Sequence, residues 1–432
     1  MKKTVRYILI AFSVFALLIF LALRFDLFQK PKAEVNINTN QLKMMNDLMN
    51  DTVQIINQTF LGNMEHNFYG DSAPDNLDVV WKKHLGSGTT IVGSETKTWA
   101  GAGWTGQPLM VKEMDKFYII QGSYSHKLRK IDAETGAFVW EYKFDDVLKG
   151  TGSIWRNKNA KTIEDKFVVI QGSRKGNDKN SSSKIVPSLR AVSYFTGKEL
   201  WRYNSIKTKC YSRDVDGSAI FINDTAYIGL ENANLLVFDP NYEHADTTDG
   251  ILQPKVFEQH PIYHEDDIKL HGGNLVMEAS LTKLKNRIYI ATGAGHVYGY
   301  NLKTHTIDWD FFTGSDIDGT PVVTHDSCLL IAIEKEYIKG QGGVFKLNPD
   351  KEPDSCVVWY YPTPNKGFHT WAAGVIGSVT VNAWYNKDGT YKNIATFTGI
   401  DGFLYVIDTD SITKETVLGP NLNKVYATPH LI

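Results

Sequence analysis

Beyond residue 77 one pattern returns along the whole chain: a short strand-like run built around a tryptophan. It reads VVWKKHL at 79–85, FVWEYKF at 138–144, ELWRYN at 199–204, IDWDFF at 307–312 and VVWYY at 357–361, with weaker copies KVFEQ at 255–259 and ETVLG at 415–419. A second signal, a small residue followed by a polar one, alternates with it. It occurs at Gly106-Gln107, Gly152-Ser153, Gly217-Ser218, Gly273-Asn274, Gly319-Thr320, Gly377-Ser378 and Ala427-Thr428. Between the two lie apolar runs: FYIIQG, FVVIQG, AYIGLEN, IYIATGAG, LLIAIEK and IATFTGIDG. Each unit thus offers about four short strands, and a repeat of ~40–50 residues with four strands is a propeller blade.

The run KIDAETGAFVW at 130–140 gives the local mechanism. Asp and Thr side chains bond the turn backbone, and Gly136 supplies the positive φ of a tight connection. The turn predicts a hairpin between the third and fourth strands. The indole that follows is placed to fill the wedge between neighbouring blades, burying ~150–250 Å² each time. Six or seven such indoles are expected around the ring.

This run resembles the repeat of the quinoprotein (PQQ-type) β-propellers, whose strand-turn-strand reads A-x-D-x-x-T-G-x-x-x-W. Asp132, Thr135, Gly136 and Trp140 match, and Lys130 stands where the Ala would be. RAVSYFTGKELW at 190–201 keeps Ala191, Thr196, Gly197 and Trp201 with Ser193 for the Asp. YGYNLKTHTIDW at 298–309 keeps Thr304 and Trp309, with Asn301 for Asp and His305 for Gly. YVIDTDSITKETV at 405–417 keeps Asp408 and loses the Trp. The resemblance covers roughly residues 77–432 and implies an all-β propeller of four-stranded blades. For function it implies two different things, because the superfamily holds PQQ-dependent alcohol dehydrogenases and also non-enzymatic proteins of the BamB type. The dehydrogenases carry a disulfide of adjacent cysteines stacked on the quinone, and a calcium ion held by Glu and Asn beside a catalytic Asp. The chain has no adjacent cysteines, and the lipid-bearing Cys of the BamB type is also missing.

Six units are complete, at roughly 104–144, 150–204, 215–261, 271–313, 317–363 and 375–420. A fourth strand is left over at 79–85 and a first strand at 424–432. These read as a split or incomplete seventh blade. The expectation is a chain that stops ~20–40 residues short of its closing strands by its own repeat length. A reduced blade is the alternative, and an intact ring would have seven or eight blades.

Ahead of the propeller, Lys2, Lys3 and Arg6 precede uncharged, mostly apolar residues from Tyr7 to Leu23. Such a run spans ~25 Å as a helix, and flanking cations and Phe25, Leu27 and Phe28 extend it. Residues 7–28 therefore read as a transmembrane signal-anchor, with 1–6 cytoplasmic and the propeller exported to the periplasmic or extracytoplasmic side. A cleaved signal peptide with secretion is the alternative. Residues 29–76 read as linker and amphipathic helix. Leu42, Met45, Met49, Val53, Ile56 and Phe60 recur at helical spacing over 41–61.

Net charge is −2, so no global basic field recruits nucleic acid. Cys210, Cys328 and Cys356 are far apart with no C-x-x-C, which leaves a zinc or haem motif unsupported. A Cys328–Cys356 disulfide and buried free thiols are both open. The first strand of each blade lines the channel, so residues beside the second signal are the candidate ligand set: Trp104, Gln107, Arg213, Asp214, Asp216, His271, Asn274, Glu278, Asp316, Asp318, His369 and Trp371. Their carboxylates and imidazoles suit a cation or acid–base work. Turn capping and solvated rings are the plain alternatives. Residues 172–184 read as a polar, basic surface loop. Residues 239–269, rich in His, Asp and Glu, read as a solvated insertion, with a metal site as the alternative. No catalytic residue, metal ligand or cofactor is assigned; PQQ and calcium enter through the resemblance. The leading reading is a non-catalytic binding or scaffold module with an envelope protein or small ligand as partner. A quinoprotein dehydrogenase is second. A carbohydrate binder using Trp104, Trp371 and Trp384 is third.

Overall fold

The computed structural model describes residues 52–68, 70, 75–103, 106–176, 184–366, 371–385 and 391–432. Six antiparallel sheets follow one another along the chain, each built from four consecutive strands laid inner to outer in sequence order, and the first carries a fifth strand on its inner edge. Blade one comprises Leu109–Glu113, Lys116–Ser123, Lys127–Asp132 and Phe138–Lys143. Blade two comprises Ser153–Arg156, Phe167–Gly172, Leu189–Ser193 and Glu199–Tyr203. Blade three comprises Ile220–Ile222, Thr225–Leu230, Asn234–Asp239 and Lys255–Pro261, and blade four Thr282–Leu284, Arg287–Ala291, His296–Asn301 and Thr306–Phe312. Val322–Val323, Leu329–Ile333, Gly343–Leu347 and Val357–Pro362 form blade five. Thr380–Tyr385, Tyr391–Thr398, Leu404–Leu418 and Val425–Leu431 form blade six.

The middle strands explain the apolar runs. Phe167–Gly172 and Leu189–Ser193 are buried at every position, whereas the outer strand Phe138–Lys143 alternates between half-buried and exposed. A strand covered on both faces must be apolar on both. What covers it is the next blade. Five apolar clusters each join two consecutive sheets: Phe144 and Leu128 with Val169 and Tyr194, Trp201 with Phe238, Leu235 with Ile288, Trp309 with Phe345, and Trp359 with Phe397. This face-to-face succession is propeller packing.

The indoles do what the repeat predicts at five junctions. Four donate their N–H to a backbone carbonyl at the third-to-fourth-strand connection of the next blade: Trp81 to Ala133 (2.8 Å), Trp140 to Tyr194 (2.9 Å), Trp201 to Pro240 (3.1 Å) and Trp309 to Lys351 (3.0 Å); Trp359 donates to Thr409 (3.1 Å) within the long third strand of blade six. The T-G pair of the turn exists for this contact. At Gly197, φ is +69°, and a Cβ there would lie 2.8 Å from the Trp140 ring; Gly136 stands in the same relation to Trp81. Gly197→Ala is therefore expected to cost about 1–3 kcal/mol, read as a shift in the denaturant midpoint.

The expected six or seven indoles are five because blades three and six carry no tryptophan in their third and fourth strands, and the junction between blades three and four is built differently. In blade three Glu258 takes the tryptophan's place: past the strand's bulge it pairs with Val237, as Trp140 pairs with Lys130 and Trp201 with Ala191. Its carboxylate accepts hydrogen bonds from Tyr300, His260 and His305. His305 sits at φ +58° in the turn position that Gly136 and Gly197 hold elsewhere. With no indole above it, that position does not need a bare backbone. Lys130, where the repeat has Ala, is likewise explained. Its buried ammonium pairs with Glu113 and lies 3.9 Å from the centre of the Tyr194 ring, between blades one and two.

Three sequence expectations are corrected. The helix predicted over 41–61 does not continue past Thr52, and 41–51 lie outside the described residues. Val53–Ile55 instead pairs antiparallel with the inner strand of blade one. Residues 79–85 are not a strand; Trp81 performs the wedge from an irregular segment that leads into a separate hairpin, Ser87–Val92 with Glu95–Ala100. Residues 424–432 do not begin a seventh blade. Leu404–Leu418 runs on where a turn was expected, and Val425–Leu431 folds back on it as the outer strand of blade six. The cause is local: T-D-S-I-T-K-E-T-V has no Gly after its Thr and is rich in β-branched residues, so the strand continues. The six complete units are thus six sheets, and neither leftover strand forms a split blade.

The three cysteines are buried free thiols. The 239–269 insertion forms a small hairpin, Asp246–Thr248 with Ile251–Gln253, then the outer strand of blade three and a short helix, Glu265–Leu270. Residues 177–183 of the basic loop lie outside the described residues. Among the described residues no helix is long and apolar enough to cross a membrane; 7–28 are not among them.

Candidate functional site at the propeller axis

The second repeat signal marks the axis. Its polar residues bond from blade to blade: Gln107 N–H to Thr151 Oγ1 (2.6 Å), Ser218 Oγ to the Thr151 carbonyl (2.8 Å), Ser218 N–H to Ser280 Oγ (2.9 Å), Ser280 N–H to Thr320 Oγ1 (2.9 Å) and Thr320 N–H to Ser378 Oγ (2.8 Å). Ser280, rather than Asn274, therefore holds this place in blade four.

Residues 53–67 close the axis at one end by crossing the inner strands in turn. Past the blade-one pairing, the Ile154 N–H donates to the Gln58 carbonyl (2.9 Å) and Thr59 Oγ1 donates to the Ala219 carbonyl (3.1 Å). Gln107 Oε1 accepts the Leu61 N–H at 2.7 Å. The Lys283 N–H donates to Met64 and the Val323 N–H to Glu65. Fully buried His66 sets one ring nitrogen 2.9 Å from the Leu281 carbonyl. One segment is thereby stitched to blades one through five.

Behind it lies a cavity of about 250 Å³, lined by Phe60, Leu61, Thr151, Asp216, Ser218, Glu278, Ser280, Asp318 and Thr320 among others. Around it gather seven carboxylates: Asp214, Asp216, Glu231, Glu278, Asp316, Asp318 and Glu334. Two cations face them. Lys149 pairs with Asp216 and lies 3.9 Å from Glu231; Arg174 Nε lies 3.2 Å from Asp214 Oδ2. Burial opposes the charge on Lys149, yet Asp216, Glu231 and Glu278 hold its pKa well above the ordinary value. The acids are too many for the cations. Burial first, and mutual repulsion after it, pushes Asp216 up and Glu231 well up. The same causes push Glu278 to about 8 and Glu334 to about 9. Asp316 and Asp318 rise to about 7, Asp316 while accepting from Asn274 Nδ2 at 2.7 Å. Seven acids facing two cations share protons at neutral pH.

Of the sequence candidates, Gln107, Asp214, Asp216, Asn274, Glu278, Asp316 and Asp318 come together here. Arg213 does not. Its guanidinium is buried against the Ser205 carbonyl (2.6 Å) and Asn204, bracing a loop. His271 caps the 265–270 helix with its ring 4.5 Å from that of Tyr337. Trp371 is 42% exposed, and Trp104 and His369 lie outside the described residues. The reading missed Lys149, Glu231 and Glu334. A signal existed for the two acids. They end the second-strand runs GLEN and AIEK at equivalent places, where blade two carries Arg174.

The site does not fit the cofactors the fold implies. PQQ is a tricarboxylate, and the cavity sets Asp216, Glu278 and Asp318 against it with one ammonium nearby. Nor do the axial carboxylates form a metal-spaced trio. Among the described residues such groups occur elsewhere, at His264, His296 and Asp310 and at His325, Asp326 and Asp410.

Comparison with known proteins agrees with the repeat. Residues 74–242 match the family model described as outer membrane protein assembly factor BamB. No curated protein matches the chain in sequence. Solved structures that resemble it include a quinohemoprotein alcohol dehydrogenase of Pseudomonas putida HK5 (13% identity, 62% of this chain, 41% of that one, TM-score 0.42). Others are Sqt1 of Saccharomyces cerevisiae (12%, 74% and 87%, 0.45) and BamB of Moraxella catarrhalis (14%, 77% and 85%, 0.42). The chain spans about two fifths of the Pseudomonas enzyme's length. Its T-G…W repeat and the match over 74–242 make the chain similar to the PQQ-like-repeat β-propeller superfamily, which has BamB-like members.

Proposed function

We propose that the chain is a non-catalytic binding or scaffold module of the cell envelope, held by a signal-anchor at 7–28 with its propeller on the extracytoplasmic side. The observation that carries this is the covered, acid-lined axis. Residues 53–67 cover one end, and buried carboxylates line the cavity behind it. With the axis covered by the chain's own segment, recognition falls to the blade edges and loops, and the natural partner is another envelope protein. The opposing reading is a quinoprotein dehydrogenase, which requires an anionic quinone to enter an acid-lined cavity.

Titrating the full chain with PQQ and calcium separates the two. The expected result is an unchanged quinone absorbance spectrum, together with one envelope protein captured in constant proportion by in-cell cross-linking. A stoichiometric quinone complex would overturn the scaffold reading.

A further inference from the structure

Away from the axis, the link between blades three and four brings two imidazoles onto one carboxylate. His264 is the residue before the 265–270 helix, His296 opens the third strand of blade four, and Asp310 lies on its fourth strand. His264 Nε2 is 2.9 Å from Asp310 Oδ2, and His296 Nδ1 is 2.7 Å from Asp310 Oδ1. All the candidate donor atoms fall within 4.8 Å of one another. We infer that His264, His296 and Asp310 form a binding site for a zinc-class divalent transition ion.

Three observations beyond proximity support it. His296 is held in place as a ligand must be. Its ring stacks on Tyr298 (4.9 Å between centres, 8° between planes) and lies 4.5 Å from the Phe312 ring. Its other nitrogen, Nε2, faces Asp267 Oδ1 at 3.4 Å, and Asp267 is buried. A carboxylate on the far nitrogen of a ligating imidazole fixes its tautomer and raises its basicity. Asp267 also accepts the His264 backbone N–H at 2.7 Å, so one buried acid sets both histidines. Finally, the site is open. The His264 side chain is exposed, and Asp310 lines a cavity of about 550 Å³ that leaves room for water to complete the coordination. Two nitrogens and one carboxylate suit zinc, nickel or copper and do not suit calcium. The metal takes its ligands deprotonated, so binding weakens as pH falls. The other metal-spaced group differs. The ammonium of Lys346 already lies 2.7 Å from Asp326 and 3.7 Å from Asp410, and takes the cation's place.

The test is calorimetric titration of metal-free full-length chain with zinc chloride, repeated with calcium chloride. One equivalent of zinc is expected to bind, and His264→Ala should weaken it at least ~100-fold without lowering the melting temperature of the metal-free chain. Asp267→Asn, which removes no ligand, should weaken it about 10–100-fold. Zinc affinity unchanged in both His264→Ala and Asp310→Asn, or no zinc binding to the parent chain, overturns the assignment. Calcium binding that His264→Ala abolishes would overturn the ion class.

Discussion

Trp359→Ala should lower the stability of the propeller by about 3–5 kcal/mol. The side chain is completely buried, packs with Val344, Val379 and Phe397 between blades five and six, and its N–H donates to Thr409. Removing it leaves a void and an unpaired carbonyl together. Trp359→Phe separates the two terms. It keeps most of the apolar contact and forfeits the hydrogen bond, for a cost of about 1–3 kcal/mol. Trp81→Ala should cost clearly less than Trp359→Ala, because Trp81 works from an irregular, half-buried segment. Urea or guanidinium titration of the full chain reads all three. Equal losses at Trp81 and Trp359 would mean that the indoles do not act through burial.

The second large effect is on pH. Glu278, with its pKa raised to about 8, keeps a proton in the folded chain that it gives up in the unfolded one at about 4.5. A raised carboxylate pKa makes the folded state the tighter proton binder. Its contribution is intact below pH 4.5 and is lost as pH climbs through 8. Glu334, Asp316 and Asp318 act in the same direction, with pKa values of about 9, 7 and 7. Stability should therefore fall between about pH 5 and 9, counter to the usual rise on leaving acid conditions. Glu278→Gln removes one of these charges and keeps the shape. It should raise stability by roughly 2–4 kcal/mol at pH 9, leave it nearly unchanged at pH 5, and flatten the slope between them. Melting curves across that range check this. A Glu278→Gln variant less stable than the parent at pH 9 would mean that the carboxylate is ionised and paired.

Much of this architecture is legible in the residues because the repeat joins a local to a non-local requirement. Thr135-Gly136 and Thr196-Gly197 make the turn, and the same glycines leave room for Trp81 and Trp140 of the preceding unit. The exception at blade four is legible as well once paired: His305 replaces Gly where Glu258 replaces Trp. The axial acids Asp214, Asp216, Asp316 and Asp318 were visible because two blades repeat D-x-D-G. Lys149 was not, since it sits in a linker between units and finds its carboxylates only through the ring. The course of 53–67 escaped detection for a different reason. Val53, Ile56 and Phe60 fit a helical stripe, yet their partners are the inner edges of blades far away in sequence. Periodicity reports which residues want burial; it does not report against what. His264, His296 and Asp310 are likewise scattered and meet only through the pairing of blade four with the segment that enters it.

Hydrogen exchange of the segment 53–67, followed by mass spectrometry on the full chain, goes to the heart of the account. The amides of Ile56, Asn57 and Leu61, which donate to blade one, and those of Ile154, Lys283 and Val323, which donate to the segment, are predicted to exchange as slowly as the inner strand 109–113. Exchange at the rate of a free peptide, with the sheets still protected, would mean an open axis and would contradict both the plug and the scaffold role built on it.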